Sequence, residues 1–427
     1  MDRRRFLGLA AVSVPAAMSL TACSGDGVGG TKLTMIAANY GDTSANDSQA
    51  YWNNVASAFQ KKYSGISIDI QVYDWTEVDK KVAQLVAAGK APDIAQCGAY
   101  ADYAARNALY SADQLLSVSV EADFISSMAD AGSVNHTQYG MPFVSSARML
   151  FYNKTLFKQA GIVDAQGQAA PPKTWDELKS AATKLKAAGV KVPFGLPFGP
   201  EEPAAETMIW MLGNGGGYTD DVGSYTIDSP QNIETFQWIK ANLVDTQLTG
   251  TDPAKTNRQD VFDAFSRGQC GFLNGHPTLI QEADKGHIDY GIAKIPGKNG
   301  LLTSTLGVAD WVMAFKQNGN ASAAGKFLEF MYSAQNTLTF LKEYELQPVT
   351  VSASSAMRTD PSQKKIWPFL DELPNAQFYP DDKTSWGPVN AALKQVIGKA
   401  VTQDPSGVLT SLQRTAEADD STSTTAK

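Results

Sequence analysis

Lys32-Leu33-Thr34-Met35-Ile36-Ala37-Ala38 opens a stretch, closing at Asp93-Ile94-Ala95-Gln96, whose rhythm decides the fold. The first run is a short β-type segment, and Asn39 to Ser48 after it is turn-prone. Trp52, Val55, Phe59 and Tyr63 then fall at steps of three and four, a single apolar stripe on a helix. Ile66, Ile68, Ile70 and Val72 alternate with polar residues, the pattern of a half-buried strand. Val78, Val82, Leu85 and Val86 mark a second helix that stops at Gly89 with Pro92 beyond it, and Asp93 begins another strand. Strand and helix in alternation predict a parallel sheet with helices on its faces, an α/β architecture. Ligands of such sheets sit outside the carboxyl ends of the strands. The segments to watch are therefore Asn39-Tyr40, Tyr73-Asp74-Trp75 and Cys97-Gly98-Ala99-Tyr100.

Composition bounds what surrounds this stretch. The chain has 427 residues, 43% hydrophobic and 19% charged, enough for two or three core-sized units and unlike a fibre or a disordered chain. Lys and Arg number 36 against 44 Asp and Glu, a net charge of −8, so no basic surface awaits a phosphate backbone and nucleic acid is not an expected partner. Three cysteines and three histidines leave little for a Cys/His metal site or a disulfide framework. No metal and no cofactor are assigned.

The chain start does not match this acidic body. Arg3-Arg4-Arg5-Phe6-Leu7 precedes small and apolar residues that run to Leu20-Thr21-Ala22-Cys23, which reads as an export signal over residues 1–22. The apolar run is too short for a spanning helix, which needs ~20 apolar residues. The arginines resemble a twin-arginine signal, which exports folded proteins, while a plain Sec signal also carries such charges, so the route stays open. Leu20-Thr21-Ala22-Cys23 resembles a bacterial lipobox, which implies acylation of Cys23 and a lipid anchor on the outer side of the cell membrane; the alternative is an ordinary cleaved signal. Residues 1–22 hold three arginines and one aspartate, so their removal takes the net charge from −8 to −10. Residues 23–30, Gly-rich and polar, then form a flexible tether.

Further along, a series of landmarks carries a resemblance. Pro92-Asp93-Ile94, Tyr139-Gly140-Met141-Pro142-Phe143, Leu150-Phe151-Tyr152-Asn153-Lys154, Pro172-Lys173-Thr174-Trp175-Asp176-Glu177-Leu178, Asn214-Gly215-Gly216, Phe265-Ser266-Arg267-Gly268 with Gly275-His276-Pro277, and Tyr290-Gly291-Ile292-Ala293-Lys294-Ile295-Pro296 occur in this order. Together they resemble the extracellular solute-binding proteins of ABC importers, in the carbohydrate-binding family that includes maltose-binding protein. The resemblance implies two discontinuous α/β lobes joined by a hinge, closing on a ligand in the cleft between them. Lobe one would comprise residues 31–144 and 293–347, and lobe two residues 145–292 and 348–415. Pro142, Pro296 and Pro348 lie at or near the crossings. Residues 416–427, rich in Asp, Ser and Thr, read as a disordered tail.

A sugar-binding cleft needs flat aromatic faces for the C–H faces of the ring, and carboxylates, amides and Arg for its hydroxyls. Asn39 and Tyr40 after the first strand and Asp74 after the second are candidate ligand contacts as strand-end residues, and Gly98 and Tyr100 after the third stand where the family implies polar ligand contacts. Ser146 and Arg148 follow the first crossing, where a structural ion pair is the alternative for Arg148. Phe198, Glu201 and Glu202 sit in a Pro-rich loop that otherwise reads as a solvated acidic turn. Asp310 and Trp311 follow Gly307 in a strand expected to line the cleft. Trp386 stands before an apolar helix where relatives keep a stacking aromatic; the alternative is a buried helix-start Trp. His276 stands where some relatives carry a stacking Trp, which puts a maltose-like ligand in doubt.

Other chemistries fit less well. His136, His276 and His287 sit in no nucleophile arrangement, and the adjacent pairs Glu201/Glu202 and Asp381/Asp382 read as solvated loops rather than a glycosidase pair. Gly213 to Gly217 lacks the Lys-Ser/Thr of a phosphate loop and is a turn. Cys97 and Cys270, on different lobes, read as free buried thiols. The expectation is therefore a non-enzymatic, monomeric, lipid-anchored binding protein that captures a sugar or other polyhydroxylated solute and delivers it to an ABC permease. A non-transport sensor or surface-binding protein on the same fold is the alternative.

Overall fold

The structure, a computed structural model, describes residues 30–41 and 46–425. The expected export signal over residues 1–22 and Cys23 lie outside the described residues. Eleven strands are described: β1 (Thr31–Ala38), β2 (Ile66–Tyr73), β3 (Ile94–Cys97), β4 (Ser133–Val134), β5 (Thr137–Gln138), β6 (Met141–Ala147), β7 (Met149–Asn153), β8 (Val192–Gly195), β9 (Cys270–Gly275), β10 (Tyr290–Ala293) and β11 (Gly307–Ala314).

The alternation read from the opening stretch is present. β1 pairs in parallel with β2 and with β3, so their carboxyl ends lie along one edge. The period of two in β1 sends Leu33, Met35 and Ala37 into one apolar cluster and Ile36 and Ala38 into another. The Ser48–Lys62 helix supplies Trp52, Val55 and Phe59 to the first, and the Trp75–Ala87 helix supplies Val78 and Val82 to the second. Burying side chains of this size is worth ~2–3 kcal/mol each before chain entropy is counted. Asp93, only 2% exposed, pins the start of β3: its carboxylate accepts the Thr34 amide at 2.7 Å, the Thr34 hydroxyl at 2.9 Å and the Asn320 amide at 2.9 Å.

What sequence rhythm does not reveal is the middle of this sheet. Its order is β2-β1-β3-β11-β6, with β11 antiparallel to both neighbours. Between β11 and β6 the register slips: Asp310 faces Val144 and Trp311 faces Pro142, leaving Phe143 as an extra residue. Pro142 has no N–H to give, and an edge strand at a bulge is where proline is tolerated. Such bulges re-aim side chains.

The second sheet has the order β10-β7-β9-β8. Its core holds Leu150, Phe194 and Phe272 against the Trp175–Ala187, Pro203–Leu212 and Trp386–Val396 helices. Thr174 caps the first of these helices, accepting the Glu177 amide, and the Glu177 carboxylate accepts the Lys173 amide in return. The Pro203–Leu212 helix buries Pro203 to Met211 without a break, as a central helix must.

The chain passes between sheets at points that are hydrogen-bonded to one another. β6 ends at Ala147 and β7 begins at Met149, so Arg148 is the crossing residue, a few positions beyond the expected boundary at residue 144. Its amide donates to the Leu306 carbonyl at 3.1 Å, and Ser145 and Gln347 exchange both backbone hydrogen bonds at 3.0 Å. Gly307 is required there, because a Cβ would lie 2.8 Å from the Ala376 side chain and the Phe378 ring.

The tail departs from expectation. Pro405–Thr425 is one helix, not a loose end. Leu409, Leu412 and Ala416 lie on its buried side, and Asp420 accepts from Lys383 at 3.0 Å and from Ser385 at 2.8 Å. Polar composition hid the apolar spacing that anchors the helix.

Candidate functional site

The carboxyl ends of β1 and β3 meet β11 at a polar junction. Half-buried Tyr40 donates its hydroxyl to Asp310 at 2.7 Å, and the fully buried Gln96 donates its amide to the same hydroxyl. The Tyr40 ring stands edge-on to Trp75 at 5.6 Å and Phe340 at 5.0 Å, which fixes the hydroxyl's direction. Burial pushes the Asp310 carboxyl up to about 7, although the Tyr40 bond pulls the other way. Burial likewise holds the Tyr40 phenol well above its usual range.

One residue along, Trp311 points elsewhere. Its indole donates to Asp381 at 3.2 Å, and its ring meets Tyr100 edge-on at 5.4 Å. Tyr100 is fully buried, donates to the Ala131 carbonyl at 2.5 Å and packs over Gly140, where a Cβ would come within 2.7 Å of its ring. Burial raises Asp381 to about 8, with Asp382 and Asp310 adding like charge.

The other side of the cleft begins at the crossing residue. Arg148, 4% exposed, donates to Glu202 at 2.5 Å and to Ser146 at 3.0 Å. Arg258 donates to Glu201 at 2.5 Å, and its Nε lies 3.0 Å from Glu202. The two arginines and two glutamates therefore neutralise one another in a chain. Beneath them, Glu206 is 4% exposed and accepts Trp210 at 2.8 Å and Asn274 at 3.0 Å; burial pushes it to about 7. His276 is half-buried, shares a hydrogen bond with Thr278 at 2.8 Å and lies 5.0 Å from the Phe262 ring. Burial first, and the two arginines second, hold its pKa well below the usual range, so the imidazole is neutral at pH 7.

The two sides are in electrostatic reach: the Asp310 carboxyl feels both Glu202 and Arg148, and the Tyr379 hydroxyl feels Glu202, Arg148 and Asp381. At the edge of this junction opens a cavity of about 1010 Å³, lined by Asp130, His136, Asp221, Tyr379, Asp382 and neighbours. A second space of about 450 Å³ continues from it through Thr219, Asp220, Gln377 and Phe378. Among the described residues no group of three His, Cys, Asp or Glu could hold a metal ion, and no helix is long and apolar enough to cross a membrane.

The sequence candidates divide on inspection. Tyr40, Tyr100, Asp310 and Trp311 gather on one side; Ser146, Arg148, Glu201, Glu202 and His276 gather on the other. Asn39 and Asp74 pair with each other at 3.2 Å at the exposed rim, and the Gly98 amide donates to Asp79 at 2.8 Å. Phe198 is 1% exposed and packs on Phe236 in the core, so it offers no face to a ligand. Trp386, 6% exposed, stacks under Tyr379 at 5.4 Å and against Tyr218 at 4.9 Å: the helix-start position buries it. Trp311 shows no exposed face either, because Tyr100 and Gly132 close over its ring. Gln96, Glu206, Asn274, Tyr379 and Asp381 were not anticipated. A polar residue inside an otherwise apolar strand, as with Gln96 and Asn274, was the available signal.

Comparison with known proteins agrees with this geometry. The sequence profile of the family described as bacterial extracellular solute-binding protein matches residues 42–338. A protein of Brucella abortus (strain 2308), named only as a binding protein, is 27% identical over 338 residues, 77% of this chain and 80% of its own length. The sn-glycerol-3-phosphate-binding periplasmic protein of Brucella melitensis is 26% identical over 281 residues, 64% of this chain and 58% of that protein. The cyclic alpha-maltosyl-1,6-maltose binding protein from Arthrobacter globiformis matches with a TM-score of 0.75 at 18% identity, covering 92% of this chain and 99% of that one. The GacH receptor of Streptomyces glaucescens, solved unliganded and with acarbose, also gives 0.75, at 19% identity over 92% and 99%. The structural likeness is one of fold: two discontinuous lobes, a hinge and a cleft between them.

Proposed function

Because the chain belongs to the bacterial extracellular solute-binding proteins, the substrate-binding components of ABC transporters and not enzymes, we propose that it captures a sugar or another polyhydroxylated solute in its cleft and delivers it, closed, to an ABC permease. The observation that carries this reading is the opposition of two polar groups, Tyr40–Asp310 and Arg148–Glu202, within electrostatic reach across the junction of the two sheets. Carboxylates and an Arg fork suit hydroxyl groups, and each one left unpaired in a closed site costs ~1–3 kcal/mol, which is the source of selectivity. We assign ligand contact to Tyr40, Asp310, Asp381 and the exposed part of Tyr379, with Ser146, Arg148 and Glu202 opposite. Relatives named for binding a glycerol phosphate and a cyclic oligosaccharide support a polyhydroxylated ligand.

In this reading the lobes are residues 31–147 with 307–347 and residues 149–293 with 348–425, and ligand shifts an open-to-closed equilibrium that the permease reads. The protein acts as a monomer tethered through acylated Cys23. Calorimetric titration of the mature chain with a sugar and polyol panel tests the function: binding of panel members is expected, and binding of only amino acids, peptides or metals overturns it. Cys23→Ser tests the anchor, since the variant is expected in the soluble extracytoplasmic fraction and its retention in the membrane rejects the tether.

A further inference from the structure

Resting on the reading of the cleft as a sugar or polyol site, we propose that a small pocket beneath the Arg148–Glu202 pair is a subsite for one hydroxyl on a one-carbon arm. The solute then carries a free hydroxymethyl group: it belongs to the sugars with an unsubstituted primary alcohol, not to their deoxy, O-alkylated or phosphorylated counterparts. The pocket is separate from the large cavity beside Asp382. It measures about 10 Å³, which admits one oxygen-sized group.

A carboxamide and a carboxyl group form its floor. Asn274 stands in β9 beside Phe272 and Leu273, is 6% exposed and donates its amide to Glu206 Oε1 at 3.0 Å. Its Oδ1 is buried and receives no donor among the described residues, whereas buried amide oxygens in folded proteins are nearly always paired. Glu206, 4% exposed, takes both of its hydrogen bonds, from Trp210 and Asn274, on Oε1; its Oε2 has none among the described residues. A hydroxyl donates and accepts at once, so it serves Asn274 Oδ1 as a donor and Glu206 Oε2 in either role.

The walls are apolar. Ala205, Ile209 and Phe262 line them, the last two 2% and 0% exposed. They suit a methylene and offer nothing to an ion. The mouth is made by Arg148, Glu202 and Arg258, which hold one another, with half-buried His276 beside them. Arg148 is also the crossing residue between the two sheets, so the mouth opens at the base of the cleft. A hydroxyl fixed to a ring carbon stops there, because the ring cannot follow it, whereas a one-carbon arm swings its oxygen to the floor. A methyl in that place would leave the Asn274 oxygen without a donor, and sites built around a hydroxyl reject such analogues strongly. A phosphate exceeds the volume and would set its oxygens against two further acceptors.

The test titrates the mature chain at pH 7 with matched mono- and disaccharides, each hexose unit against its 6-deoxy, 6-O-methyl and 6-phosphate forms. The free alcohol of at least one set is expected to bind tenfold or more tightly than its counterparts. Asn274→Leu, close in size, is expected to erase that preference, with the 6-deoxy form binding the variant at least as tightly as the parent. A crystal structure of the parent with the tightest member, which needs no variant, should place the hydroxymethyl oxygen within hydrogen-bond distance of Asn274 and Glu206. A water in that position, with the sugar oxygen elsewhere, overturns the inference and makes the pocket a structural water site. Equal binding within every set, or tighter binding of a deoxy, methylated or phosphorylated member, overturns it and leaves the sugar-binding reading intact. Binding by none of these sets in a chain that takes other polyols also overturns the inference alone. Absence of binding by every sugar and polyol overturns both.

Discussion

The Tyr40 hydroxyl reaches the Asp310 carboxylate at 2.7 Å, across 270 residues of sequence. One end of β1 thus fixes the orientation of a side chain in β11. Tyr40→Phe removes the donor, leaves a part-buried carboxylate short of a partner and raises its pKa further. Solute affinity is expected to fall about tenfold, in line with the ~1–1.5 kcal/mol of one hydrogen bond. Calorimetry at pH 7 measures this, and an unchanged dissociation constant removes Asp310 from the contact set.

Acidity enters stability with a definite sign. Asp310 and Glu206 have folded pKa values of about 7 and Asp381 of about 8, against unfolded values near 4. Between those limits the folded chain holds protons that the unfolded chain has released, so stability is lost as pH rises through 7 to 8. His276, depressed below its unfolded value, works in the opposite sense below about pH 6.5, against these three and against Glu345, which is likewise raised to about 7. The unliganded protein is expected to melt several degrees higher at pH 5.5 than at pH 8. Asp310→Asn with Asp381→Asn should flatten that slope in thermal melts, and a slope that persists unchanged assigns it elsewhere.

Arg148 is tied into the crossing between sheets as well as to Glu202. Arg148→Met leaves Glu202 and Ser146 without their cation; because Glu202 is part-exposed, the cost is expected to fall short of the ~3–5 kcal/mol of a fully buried pair. Arg258 beside Glu202 should reduce it further, to ~1–3 kcal/mol. Denaturant unfolding reads the difference, and a loss below 1 kcal/mol would mean the pair is solvated in solution.

Trp386 separates packing from binding. Stacked under Tyr379 and against Tyr218, it should cost ~3–5 kcal/mol of stability as Trp386→Ala. Trp386→Phe, which keeps an aromatic ring, though a smaller one, is expected to bind solute within threefold of the parent. A large affinity loss in the Phe variant with normal stability would return this ring to the ligand.

The C-terminal helix braces the loop that carries Asp381 and Asp382, because Asp420 holds both Lys383 and Ser385. Asp420→Ala is expected to weaken solute binding by roughly three- to tenfold with little change in melting temperature, since the two contacts are part-buried and local. Equal affinity would show the loop to be rigid without it.

The parallel β1-β2-β3 unit was legible because its apolar period is local: each strand and helix declares itself within eight or so residues. Asp93 and the Thr174–Leu178 helix start were legible as landmarks of the resemblance. Trp386 was not, because a tryptophan ahead of an apolar helix looks the same whether it faces solvent or core, and only Tyr379 decides. Asp381 read as a solvated acid since nothing near it announces the Trp311 indole arriving from another lobe. The Phe143 bulge is likewise set by two strands far apart in sequence. The tail was within reach: Leu409, Leu412 and Ala416 keep helical spacing amid polar residues that suggested otherwise.

β11 lies inside the first sheet, between β3 and the edge strand β6, yet it is synthesised after the whole of the second sheet. The first sheet therefore cannot be completed before the second has been made. The first must wait with an internal gap, exposing the edges of β3 and β6, until Gly307–Ala314 arrives. Maturation is expected to be slow and all at once, without a stable N-terminal half, and truncated fragments should aggregate. A chain built this way gains from crossing a membrane only after this closing strand is in place, or from being shielded until it is.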